Sequence, residues 1–132
     1  MIRKVHHIAI AVRDLAKAEK TYRETLGLEF ERVIRMPEYH VEVGFIRVGD
    51  LWLEFISPTG EETRFSAFFK YRGPGVHHIA YEVSDIRGSM RTIRSRGVCF
   101  DSEEPMKGAD GLVCFLPSEV LEGVLTELVE VS

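Results

Sequence analysis

Long apolar runs are missing from this sequence. The longest, such as Ile8 to Val12, are strand-sized, far below the roughly 20 residues a helix needs to cross a bilayer. No membrane-spanning segment is therefore expected. Cysteine is scarce as well. Cys99 and Cys114 are the only two, and both fall in apolar strand-like stretches without metal-ligand spacing, which predicts buried, reduced thiols that carry no chemistry. A basic excess is also absent. The 132-residue chain has a formal charge of −4 and so offers no electrostatic footprint for nucleic acid. Arg87, Arg91, Arg94 and Arg96 do cluster, as a solvated helix face would, although such a patch can also steer a negatively charged ligand. Nor does Met1-Ile2-Arg3-Lys4-Val5 show the charged, apolar and small-residue succession of a secretory signal, and a cytoplasmic protein is expected.

What is present is the composition of an ordinary globular protein, 45% hydrophobic and 29% charged, at a length that suits one domain spanning 1–132. Its organising feature is a repeat. Val5-His6-His7-Ile8-Ala9-Ile10-Ala11-Val12-Arg13-Asp14 returns 71 positions later as Val76-His77-His78-Ile79-Ala80-Tyr81-Glu82-Val83-Ser84-Asp85. Each copy is followed by a helix N-cap candidate (Asp14, Asp85), a helical stretch and a glycine (Gly27, Gly97) before a new strand. Leu15, Ala18, Tyr22 and Leu26 form the apolar stripe of the first helix, and Ile86, Met90 and Ile93 that of the second. Three further strands are predicted in each half: 28–35, 40–48 and 51–57, then 98–102, 112–116 and 123–131. The result is an α+β chain of two tandem βαβββ modules, about 3–57 and about 75–131, joined by a linker over 58–74 with a short helix near Thr63 to Phe69. Neither module can bury its sheet alone, so the two should form one curved mixed sheet around a shared metal-binding cleft.

Few polar residues recur at equivalent places. His7 matches His78, and Glu54 in Leu51-Trp52-Leu53-Glu54-Phe55 matches Glu127 in Val124-Leu125-Thr126-Glu127-Leu128. Strand parity puts His7 on one face with Ala9 and Ala11, and His78 with Ala80 and Glu82, which leaves room beside each histidine. His6 and His77 point the other way and read as structural histidines. A Glu inside an apolar strand is costly to bury unless it is paired or bound to a cation. One shared cation would satisfy both. Two imidazoles and two carboxylates suit a divalent ion such as cobalt, manganese, nickel or zinc. The loop Lys107-Gly108-Ala109-Asp110-Gly111 reads as a turn, and Trp52 as a core residue on the face of Glu54.

These residues resemble a known family. His7-Ile8-Ala9-Ile10-Ala11-Val12, the helix ending Tyr22-Arg23-Glu24-Thr25-Leu26-Gly27 and the Glu54 strand are similar to the vicinal oxygen chelate (glyoxalase/bleomycin resistance/dioxygenase) superfamily. Within it, Gly75-Val76-His77-His78-Ile79-Ala80, Arg96-Gly97-Val98 with Glu103-Glu104-Pro105, and Gly123-Val124-Leu125-Thr126-Glu127-Leu128 most resemble the methylmalonyl-CoA epimerases. The likeness runs from about residue 4 to residue 130. It implies that His7, Glu54, His78 and Glu127 bind the metal, and that an acyl-CoA is epimerised at its α-carbon through a stabilised enolate. Glu127 would be one of the proton-transferring groups. Val43 stands where the resemblance puts a second catalytic Glu, with Glu42 one residue away on the other face. Pro117-Ser118-Glu119 replaces a His-Pro-Lys. By analogy with this architecture a homodimer is expected.

Other readings of the same pattern are a glyoxalase I type lactoylglutathione lyase and a metal-free small-molecule binding protein of the resistance type. The extra carboxylate argues against a ring-cleaving dioxygenase with its two-His, one-carboxylate site.

Overall fold

The computed structural model describes residues 1–60 and 64–132. In chain order the elements are β1 (Ile2–Ala11), α1 (Leu15–Leu26), β2 (Arg32–Met36), β3 (Val41–Val48), β4 (Leu51–Pro58), α2 (Arg64–Arg72), β5 (Gly75–Val83), α3 (Ile86–Ser95), β6 (Met106–Lys107), β7 (Gly111–Leu116) and β8 (Thr126–Val131). Two βαβββ successions with an intervening helix are what the repeat implies, and the class is α+β. The linker helix runs to Arg72, beyond the expected Phe69. Its expected start at Thr63 lies outside the described residues. No helix among those described is long and apolar enough to cross a membrane.

The chain divides into two compact units, Ile8–His77 and Met1–His7 with His78–Ser132. In the first, β2, β3 and β4 pair antiparallel in that order. The end of β1 lies beside β4, with Val12 N–H donating to the Ile56 carbonyl at 2.9 Å. Asp14 caps α1 by accepting from Lys17 N–H, and Gly27 closes the helix at φ 70°, a left-handed conformation that glycine adopts without steric cost. The apolar stripe of α1 packs on alternate residues of the sheet, where Leu15, Ile46 and Phe55 form a buried cluster with Ala18, Tyr22 and Phe30 around it. Residues on the opposite face of β3 and β4 include Val43, Phe45, Glu54 and Ile56, which are paired across the two strands as Val43 with Ile56 and Phe45 with Glu54.

The second unit repeats the plan. Its strands run β5-β8-β7-β6, with β5 and β8 parallel and the other pairs antiparallel. The start of β1 lies beside β5. Arg3 is 3.7 Å from Glu82 and His7 is 3.3 Å from His78, so those two strands run in opposite directions. Asp85 caps α3 through Gly88 N–H. Ile86 and Met90 of α3 close over Val83, Cys114 and Leu128. The other face of this sheet carries the smaller cluster of Ala80, Val113 and Val129.

Four expectations are corrected. The strand predicted over Val98 to Ser102 does not form, and the short β6 takes its place eight residues further on. Asp101-Ser102-Glu103-Glu104-Pro105 is too polar and proline-limited to hold a ladder. Arg94 donates to the carbonyls of Ser102 and Glu103 at 3.2 and 2.6 Å, while Phe100 drops into the core beneath α3. The same happens in the other unit, where β2 begins at Arg32 rather than residue 28. There Phe30 packs at 5.5 Å from Phe55, and its N–H is taken by Glu19 at 3.0 Å. β8 starts only at Thr126, because Ser118–Leu121 coils as a short 3-10 turn. The fourth correction concerns cysteine: Cys114 is buried but Cys99 is exposed, since the strand meant to shelter it is absent. Burial first, and the charge of Glu127 second, push the Cys114 thiol up to about 12.

Gly111, at the start of β7, has φ 150°, and a Cβ there would run into the Glu130 carbonyl oxygen and stand 2.9 Å from Ser132 N. Two predictions follow from this packing. Thiol titration with a disulfide reagent at pH 8 should modify Cys99 alone in the folded protein and Cys114 only after denaturant is added; equal reactivity of both would contradict the burial of Cys114. Gly111→Ala should lower stability by about 2 kcal/mol, read as a fall of several degrees in the thermal midpoint, because backbone rather than a flexible side chain blocks the added methyl.

Candidate metal centre

Each ligand candidate owes its position to strand alternation. On β8, Leu128 faces the core under α3, so Glu127 and Val129 face the other way. On β5, Ala80 is the register partner of Glu127, and His78, two residues before Ala80, shares its face. On β7, Phe115 stands opposite Glu127 and packs its ring edge-on against His78 at 5.1 Å. β1 contributes His7, the last of its residues within this unit.

Three of the four repeat-equivalent residues therefore meet. His7 Nε2 is 3.2 Å from Glu127 Oε1 and 3.3 Å from His78 Nε2, and His78 Nε2 is 3.8 Å from Glu127 Oε2. The three ligand atoms lie within 4.8 Å of one another, and the residues are only 4%, 3% and 6% exposed. Two imidazole nitrogens facing each other across a buried carboxylate form the donor set of a divalent cation of intermediate hardness. The residues present fit such an ion. The fourth candidate, Glu54, belongs to the unit Ile8–His77, where it is 6% exposed on β4 opposite Phe45.

Val43 and Glu42 lie on opposite faces of β3. β3 pairs with β2 and β4 without a bulge. Val43 is 3% exposed on the same face as Glu54, and Glu42 turns to the other face, where Arg35 donates to it at 2.6 Å. Trp52 is half-buried between Phe45, ring to ring at 6.0 Å, and Arg47 at 5.3 Å, as a packing residue would be. His77 behaves as the structural histidine the parity implies, 4.5 Å from the Phe65 ring and 5.0 Å from Phe68.

His6 does not. Although its backbone points away from His7, its Nδ1 lies 2.7 Å from His7 Nδ1, and its Nε2 lies 4.0 Å from Asp110 Oδ2. Neither contact was legible from alternation, which treats neighbouring side chains as independent. The consecutive histidines were the available signal.

Residues 6–115 match the family described as the Glyoxalase/Bleomycin resistance/Dioxygenase superfamily. The chain is 38% identical over 134 residues to an ethylmalonyl-CoA/methylmalonyl-CoA epimerase of Cereibacter sphaeroides, covering 99% of this chain and 100% of that protein. It is 35% identical over 127 residues to the mitochondrial methylmalonyl-CoA epimerase of Homo sapiens, covering 95% of this chain and 72% of that one. A solved structure of a Streptomyces coelicolor methylmalonyl-CoA epimerase variant, in complex with 2-nitronate-propionyl-CoA, superposes with a TM-score of 0.94 at 31% identity, covering 100% of this chain and 99% of that chain. With a match of this extent, and histidine and glutamate residues in the places the repeat requires, the chain belongs to the glyoxalase/bleomycin resistance/dioxygenase superfamily.

Proposed function

We propose that this chain is an epimerase of methylmalonyl-CoA or a related branched acyl-CoA, working at a metal centre held by His7, His78 and Glu127. The single observation that carries the reading is the convergence of His7, His78 and Glu127 in a chain whose relatives are named as epimerases of such thioesters.

The substrate carries its exchangeable proton between a thioester and a carboxylate. Inversion requires that proton to leave from one face and another to arrive on the opposite face. A divalent cation, such as cobalt, manganese, nickel or zinc, supplies positive charge to the oxygens flanking the α-carbon and so acidifies its proton. His7 and His78 hold their nitrogens toward the same point from two adjacent strands, which fixes the site without a loop having to order. Glu127 is the carboxylate placed to take the α-proton, because it stands within the cluster rather than beside it. Phe115 sets its ring edge-on against His78 and is itself buried, and a low-dielectric neighbour of this kind strengthens the charge interactions inside. Val43 is apolar and Glu42 is engaged by Arg35, so neither returns the proton on the opposite face. A group other than these two, or a water molecule, completes the inversion.

Heavy-water exchange tests this directly. Protein loaded with cobalt should wash deuterium into the α-position of methylmalonyl-CoA, and Glu127→Gln should slow that exchange by about 10²–10⁴-fold. His78→Ala should lose most of the bound cobalt as well as the exchange. If no acyl-CoA exchanges while a glutathione hemithioacetal is turned over, the chain is a glyoxalase I type lyase. If wild-type protein retains no metal after reconstitution and neither substrate reacts, it is a binding protein of this fold.

A further inference from the structure

We propose that His6 and Asp110 form a relay behind His7 and act as positioning residues for the metal centre. The proposal rests on the metal reading of His7, His78 and Glu127. His7 turns Nε2 toward His78 and Glu127, at 3.3 and 3.2 Å. Its other ring nitrogen, Nδ1, stands 2.7 Å from His6 Nδ1. On the far side of the His6 ring, Nε2 faces Asp110 Oδ2 at 4.0 Å. All three residues lie in the same unit, and both histidines are 5% exposed or less.

A neutral imidazole has one N–H and one lone pair, so the choice at one nitrogen dictates the role of the other. If His7 offers the lone pair of Nε2 to a cation, its proton sits on Nδ1. That N–H then donates to His6 Nδ1, which must carry the lone pair, and the His6 proton moves to Nε2, where the Asp110 carboxylate attracts it. The last link is electrostatic, because 4.0 Å exceeds hydrogen-bond range. One tautomer assignment satisfies the whole chain. Metal-bound histidines ordinarily hand their second N–H to an acceptor that fixes the ring and raises its basicity. Here an imidazole stands between the ligand and the carboxylate.

Asp110 is held in place for this role. It lies in the loop between β6 and β7, where Gly108 N–H donates to the Gly111 carbonyl at 2.7 Å, and its own carbonyl accepts from Ser132 N–H at 3.0 Å. Its side chain is 19% exposed, so bulk water does not fully screen it from His6. In the other unit His77 faces the Phe65 and Phe68 rings.

The test compares wild type with His6→Leu, His6→Asn and Asp110→Asn. Cobalt affinity is measured by chelator competition, the visible cobalt spectrum is recorded, and histidine tautomers are read from nitrogen-15 NMR of the wild type loaded with diamagnetic zinc. His6→Leu should weaken cobalt binding about 10–100-fold and shift the spectrum. His6→Asn, whose side-chain carbonyl can still accept from His7 Nδ1–H, should recover most of the affinity, and Asp110→Asn should fall between the two. The NMR spectrum should show the His7 proton on Nδ1 and the His6 proton on Nε2, a readout that needs no variant to fold. The opposite tautomers, or His6→Leu binding cobalt with wild-type affinity and spectrum, would overturn the relay while leaving the metal centre standing. Wild-type protein that binds no cobalt would overturn the metal reading and the relay with it.

Discussion

Two imidazole Nε2 atoms 3.3 Å apart, with a buried carboxylate 3.2 Å from one and 3.8 Å from the other, impose a strict condition on this protein. Both nitrogens cannot present lone pairs to each other without repulsion, and both cannot donate to each other. A carboxylate removed from water costs several kcal/mol unless a positive charge meets it. One imidazole can donate to the other, whereas a single divalent cation would take both lone pairs and neutralise the carboxylate at once. The surrounding structure makes sense as the frame for that arrangement. Adjacent strands carry the ligands, so their spacing is set by backbone hydrogen bonds rather than by mobile loops.

The frame works because each sheet separates two jobs by face. In both units the helix covers one face with large apolar side chains, Leu15, Ile46 and Phe55 in one and Ile86, Met90 and Leu128 in the other. The ligand candidates lie on the other face of the same strands. In the unit that holds the three meeting candidates, that face carries the smaller residues Ala80, Val113 and Val129. Stability and chemistry are thereby assigned to alternate residues of the same strands, and a one-residue slip in register would exchange them. The unbroken pairing of β3 shows the consequence: Val43 and Glu42 cannot trade places without turning every other side chain of the strand to the opposite face.

Much of this was legible in the residues. The repeat of Val5 to Asp14 at Val76 to Asp85 is enough to place His7 and His78, and alternation along the Glu127 strand is enough to turn it away from the core. Both are local signals that survive folding unchanged. The misreadings lay where tertiary packing outweighed local pattern. Phe100 and Phe30 look like strand residues, but each leaves the ladder to fill the core under its helix, and Cys99 is exposed as a result. The contacts of His6 were hidden for a different reason. Its partner Asp110 comes from a loop about a hundred residues away, and nothing in the spacing of either residue announces the pairing.

The claim on which the rest depends is that a divalent cation sits between His7, His78 and Glu127. X-ray absorption spectroscopy of wild-type protein loaded with one equivalent of cobalt addresses it without substrate or mutation. The expected spectrum shows imidazole back-scattering from two histidines, oxygen for the remaining ligands and no sulfur. A spectrum with no histidine back-scattering, or with a thiolate ligand drawn from Cys99, would contradict it.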